Sequence, residues 1–125
     1  MKISTDHYGR LHHKNGPANA FRHALWNCLI AKRCYVWQKN PQKAVSWAKK
    51  ITDWHENAFP NRELARKMDL HNNAVGRIIF EDNIGKTENE IVEMLNKMAR
   101  HSIKIDAHSN MTELKNQLVH IIDEA

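Results

Sequence analysis

Five polar side chains stand where a helical chain ordinarily places apolar ones: His23, His55, Glu56, Asp69 and His71. Their types are those that move protons or hold metals. His55 falls on the stripe of Ala48 and Ile51, and His71 on that of Met68 and Val75, at three- and four-residue spacings that turn both imidazoles toward a core. His23 and Asn27 stand four residues apart, so an imidazole and an amide enter one helix face together. A buried polar group left without a partner costs about 1–3 kcal/mol. A single buried histidine is ordinarily satisfied by a carbonyl or a neighbouring carboxylate. Three of them, with carboxylates at Glu56 and Asp69 and amides at Asn72 and Asn73, point to a shared pocket.

Two chemistries are open to such a set. An imidazole tuned by a carboxylate serves as a general base near neutral pH, or imidazoles and carboxylates together hold a divalent metal that activates water. A zinc site takes three ligands and an open position, which His23, His55 and His71 can supply from three helices. His55-Glu56 is followed by Asn57-Ala58-Phe59, so the second histidine of the zincin motif is missing. Cys28 falls on an apolar face, no serine sits in a glycine-flanked elbow, and Gly76 alone makes no phosphate loop. Water is therefore the expected nucleophile. Arg22 and Arg77 are candidate clamps for a phosphate or carboxylate, with Asn27, Asn72 and Asn73 as further substrate-binding candidates. A different outcome, cleavage of a glycan with Glu56 as acid, requires Asp69 about 5–9.5 Å away.

The elements that must position these residues are helical. Residues 1–16, with Gly9, His12-His13 and Asn15-Gly16, read as an irregular arm. Pro17 suits a first turn, and 17–38 reads as a long helix apolar nearly all round, hence central. Asn40-Pro41 restarts the chain in a second helix, with Ala44, Trp47, Ala48, Ile51 and His55 inward, up to Pro60. Asn61 caps a third, with Leu64, Met68, His71, Val75 and Ile78 as its stripe, ending near 83–85. Thr87-Glu88-Asn89-Glu90 has capping-box spacing ahead of Ile91, Met94, Leu95 and Met98. Thr112 is expected to cap a last helix with Leu114, Leu118, Ile121 and Ile122 inward. The spacing thus predicts one all-α domain over 1–125, a compact bundle of about five helices around the N-terminal one. Residues 17–83 carry the motifs and 87–125 form C-terminal helices. Trp47 is expected in the core and Trp54 at a pocket wall.

Bulk properties bound the partners. At 125 residues, 42% hydrophobic and 26% charged, the chain suffices for one core. Nineteen Lys and Arg against fourteen Asp and Glu give a formal charge of +5, which favours phosphate-bearing partners without specifying one. The basic residues of 32–67 read mainly as solvated helix faces. Cys28 and Cys34, six apart in one helix, are expected as buried free thiols. The sequence opens without an apolar signal region and has no run of membrane-spanning length, so a cytoplasmic product, or one exported without a cleaved signal, is expected.

Three segments carry a resemblance: Asn19-Ala-Phe-Arg-His-Ala-Leu-Trp-Asn27, Trp54-His55-Glu56, and Met68-Asp-Leu-His-Asn-Asn-Ala-Val-Gly-Arg77. Together they resemble a family of small helical bacterial domains of unassigned function, some of them C-terminal modules of large secreted or toxin-like proteins. The resemblance implies that His23, Asn27, His55, Glu56, Asp69, His71, Asn72, Asn73 and Arg77 occupy motif positions. The Arg-His-Ala-Leu-Trp-Asn stretch is also similar to the catalytic helix of small helical phospholipases, where a calcium-binding Asp follows the histidine. Here Ala24 takes that place and no Gly-rich calcium loop precedes it. The expectation is a hydrolase, metal-assisted or not, acting as a bacterial antagonism toxin or secreted effector on nucleic acid or phospholipid, with a cognate immunity protein as partner. The alternative is a non-catalytic basic helical module that binds nucleic acid or an acidic protein.

Overall fold

The computed structural model describes residues 16–58 and 63–121. Helix α1, Pro17–Gln38, begins at Gly16 with Pro17 in its first turn and ends where Lys39 enters the left-handed region (φ 53°), its N–H returning to the Tyr35 carbonyl. α2 is Pro41–Ala58, and Asn40 Oδ1 accepts the Lys43 N–H at 3.1 Å as its cap. α3 is Glu63–Asp82. α4, Glu88–Arg100, carries the full capping box between Thr87 and Glu90 and buries Ile91, Val92, Leu95 and Ala99.

α1 packs against α2, α3 and α4 and is the centre of the all-α fold. Small residues make this closeness possible: Ala18, Ala20, Ala24 and Ala31 are fully buried on α1, and Ala44 and Ala48 on α2. At the α1–α3 crossing a Cβ added at Gly76 would lie 2.3 Å from the Ala24 carbonyl oxygen, so only glycine permits this approach. Phe21, Leu25, Cys28, Val75, Phe80 and Leu95 fill the space around it.

Four helices are present among the described residues, and the expected fifth is replaced by an irregular C-terminal segment. Met111–Leu114 is a single 3₁₀ turn, capped by Asn110 Oδ1 rather than by Thr112. Val119–His120 (β2) then pairs in parallel with Ile103–Lys104 (β1), in register Ile103 with Val119. The reason lies on α3. Asn72 Nδ2 donates to the Val119 carbonyl and Asn72 Oδ1 accepts the Val119 N–H, both at 2.9 Å, which holds the chain extended. Leu118 and Val119 still face inward, Val119 into a second small core with Met68 and Ile105.

Trp47, expected inside, is exposed, because Ala44 and Ala48 turn the alanine side of α2 toward α1. Cys28 is buried, whereas Cys34 is only partly so, and both are free. The N-terminal arm and the Asn61 cap lie outside the described residues.

Candidate functional site

The site lies where α1, α2 and α3 meet, and each helix brings one ligand-type group. His23 on α1, Glu56 on α2 and Asp69 on α3 are all buried, and one ligand atom of each lies within 4.8 Å of the other two. His23 Nε2 stands 3.3 Å from Asp69 Oδ1. Its other nitrogen, Nδ1, is 3.1 Å from Asn73 Oδ1. An Nδ1–H donated to that amide oxygen leaves the Nε2 lone pair directed at the carboxylates. Asn19 Nδ2 donates to Asp69 Oδ1 at 3.2 Å.

Burial governs the charge states. Loss of hydration pulls the His23 imidazolium down to about 4, aided by the Arg22 guanidinium and opposed by the Asn73 hydrogen bond and the Glu56 carboxylate. Glu56 is pushed up to about 7, first by burial and then by the charge of Asp69, to which it is also hydrogen-bonded. Two buried carboxylates in contact are relieved either by a shared proton or by a cation.

Around this centre lies a layer of positioning contacts. Asn27 Nδ2 donates to the His23 carbonyl at 3.1 Å, and its Oδ1 accepts from Arg77 Nη1 at 2.9 Å and stands 3.1 Å from Thr52 Oγ1. Arg77 is buried, and its Nη1 donates to Asn27 Oδ1 and stands 3.4 Å from Thr52 Oγ1. Arg22 differs, since its Nε is buried and has no hydrogen-bond partner among the described residues. His55 is half-buried with its ring edge-on to Trp26, centroids 5.0 Å apart. Its charge acts on both His23 and Glu56, so it borders the cluster.

His71 is elsewhere. Its Nε2 stands 3.0 Å from the Leu114 carbonyl and 2.9 Å from that of Gln117, so it donates to the C-terminal segment. Asn72 is bound to Val119 in the same way. The three-histidine zinc site is thus not what the helices assemble, because α3 presents two inward faces. Asp69 and Asn73 meet α1, while His71 and Asn72 meet the C-terminal segment. Trp54 is exposed and Trp26 takes the place beside His55. One oxygen each of Glu56 and Asp69 lies within 4.8 Å of the other, closer than carboxylates that flank a glycosidic bond. Cys28, buried and raised to about 12, is no nucleophile.

Asn19 and Thr52 escaped the sequence reading. Asn19 stands four residues before His23, and that spacing was the available signal. Thr52 gave none, since a threonine in a helix commonly bonds to its own preceding turn.

The chain belongs to a family described as a domain of unknown function (DUF6973), whose match covers residues 1–103, from the N-terminal arm to the first residue of β1. No curated protein and no solved structure matches it.

Proposed function

We propose, starting from membership of this family of unknown function, that the protein is a metal-assisted hydrolase in which His23, Glu56 and Asp69 are the metal ligands and water is the nucleophile. The observation that supports it most is the convergence of one imidazole and two carboxylates, from three helices, to within 4.8 Å. Ligands about 2.0–2.1 Å from a tetrahedral ion stand about 3.3 Å apart. His23 Nε2 and Asp69 Oδ1 already have that separation. Asn73 supports the same reading, since a metal-bound histidine ordinarily donates its second ring N–H to an oxygen acceptor. A divalent ion held there brings the pKa of bound water toward neutrality.

The substrate class we propose is a phosphate ester, of nucleic acid or phospholipid. The Arg22 Nε beside His23, buried without a hydrogen-bond partner among the described residues, and the formal charge of +5 favour an anion. The likeness to modules of secreted and toxin-like proteins supports an antagonism or effector role with a neutralising immunity partner.

Hydrolysis of bis-(p-nitrophenyl) phosphate with added Mn²⁺ or Zn²⁺ tests the chemistry. Wild type is expected to turn it over and to lose the activity to chelator. Glu56→Gln should lower kcat/KM by about a hundredfold or more with the melting temperature kept within a few degrees. Turnover that is indifferent to chelator and to Glu56→Gln would overturn the proposal.

A further inference from the structure

Away from the candidate site, α2 presents a second pattern. Lys43, Trp47, Lys50 and Trp54 follow one another at spacings of four, three and four and are all exposed, a single stripe opposite the buried Ala44, Ala48 and Thr52. Trp47 is 49% and Trp54 67% exposed, and Trp37 at the end of α1 reaches 86%. Trp37 and Trp47 line one groove of about 730 Å³, floored by Ile30 and Cys34 and edged by Arg33 and Lys43. Val36 is exposed beside Trp37, so four of the five large exposed hydrophobic residues among the described residues fall within 36–54.

The charge on this face has one sign. No Asp or Glu occurs from Phe21 to Thr52, and the first acid after it, Asp53, is bonded to Lys49. Arg33, Lys43 and Lys50 form no ion pair among the described residues. Indole rings with lysines on one exposed face match the headgroup layer of a bilayer, where an aromatic ring stays half wet and an ammonium meets phosphate. We propose that this face docks the protein on an anionic phospholipid bilayer, with α2 along the surface and Trp37, Trp47 and Trp54 in the headgroup layer.

The geometry favours lipid over the two other anionic partners. Trp47 and Trp54 lie about 10.5 Å apart along the axis, too far to sandwich one base. The groove lining is mainly apolar, with Ile30, Cys34, Trp37 and Trp47, and Gln38 is its one uncharged amide. An acidic protein segment would be expected to enclose its anchoring tryptophans in pockets, whereas Trp37 and Trp54 project outward. The docking does not depend on the metal, because none of these side chains belongs to the His23 cluster.

The test is co-sedimentation of the whole chain with sucrose-loaded vesicles of phosphatidylcholine, alone or with an equal part of phosphatidylglycerol, all in EDTA so that the metal proposal is not engaged. Binding is expected to the anionic vesicles only. Trp47→Ala/Trp54→Ala and Lys43→Glu/Lys50→Glu should each lower partition by about tenfold or more, since one basic residue near such a surface is worth about fivefold. The matched reversal Lys97→Glu/Arg100→Glu on α4 should lower it by less than about threefold. In the wild type, brominated phospholipid should quench tryptophan emission, a readout that needs no variant to fold. Absence of binding, lack of quenching, equal loss from the α4 control, or binding to a single-stranded dT20 oligonucleotide in place of vesicles would overturn the proposal.

Discussion

His23 has an oxygen beside each ring nitrogen, Asn73 Oδ1 3.1 Å from Nδ1 and Asp69 Oδ1 3.3 Å from Nε2. Asn73→Ala removes the oxygen beside Nδ1, and under the proposed metal site the affinity is expected to fall by about 10–100-fold with His23, Glu56 and Asp69 all still present. Calorimetric titration of the variant with Zn²⁺ checks this. The charge states also carry a signature in the metal-free protein. Glu56, raised from 4.5 to about 7, costs stability as pH rises through that interval. His23, lowered from 6.5 to about 4, costs stability as pH falls through its own. Between about 4.5 and 6.5 the two slopes oppose, because folding in effect moves a proton from imidazole to carboxylate. Glu56→Gln deletes one slope, so the stability of wild type relative to the variant should grow as pH falls from 7 to 4.5. Urea unfolding in EDTA across that range measures it, and a difference independent of pH would contradict it. Helical spacing made His23 legible in the sequence as an inward-facing polar residue, whereas Glu56 and Asp69 entered only as carboxylates beside the histidines. It misplaced His71 because spacing gives the direction of a side chain, not the element that it meets there.

The helices act on the site through close approach and through one extended segment. Gly76→Ala would set a methyl group against the Ala24 backbone, forcing α1 and α3 apart at a crossing that lies between Asp69–Asn73 and the rest of the core. A loss of about 1–3 kcal/mol is expected, seen as a melting temperature lower by roughly 5–15 °C, together with weaker metal binding. Asn72→Ala should act differently. It leaves the Val119 N–H and carbonyl without their partner, so amide exchange at Val119 and its neighbours should accelerate well before that of α1–α4. Equal protection in variant and wild type would mean that the C-terminal segment is held by its apolar contacts alone. The capping signals of α2 and α4 were readable because each is a local pattern, Asn40-Pro41 and Thr87 with Glu90. The expected last helix had an apolar pattern of the same kind at Leu114 and Leu118. Its outcome was decided by Asn72, more than forty residues away, which no local pattern reports.

Across the whole molecule, the buried cluster and the exposed aromatic face lie on different sides of α2, the cluster facing α1 and α3 and the tryptophans facing outward. No helix among the described residues is long and apolar enough to cross a membrane. The excess of basic charge was plain in the sequence, but its clustering with three exposed tryptophans was not. Trp47 falls on a stripe whose spacing reads as core, whereas the side of α2 that faces inward is that of Ala44 and Ala48. The central claim is that three helices converge to hold one divalent ion. It is tested most directly by elemental analysis and Zn²⁺ or Mn²⁺ titration of the chelator-stripped chain. One equivalent per chain is predicted, lost in each of His23→Ala, Glu56→Gln and Asp69→Asn and retained in His71→Ala. Binding that is absent, or that survives the first three substitutions and depends on His71, would contradict the claim.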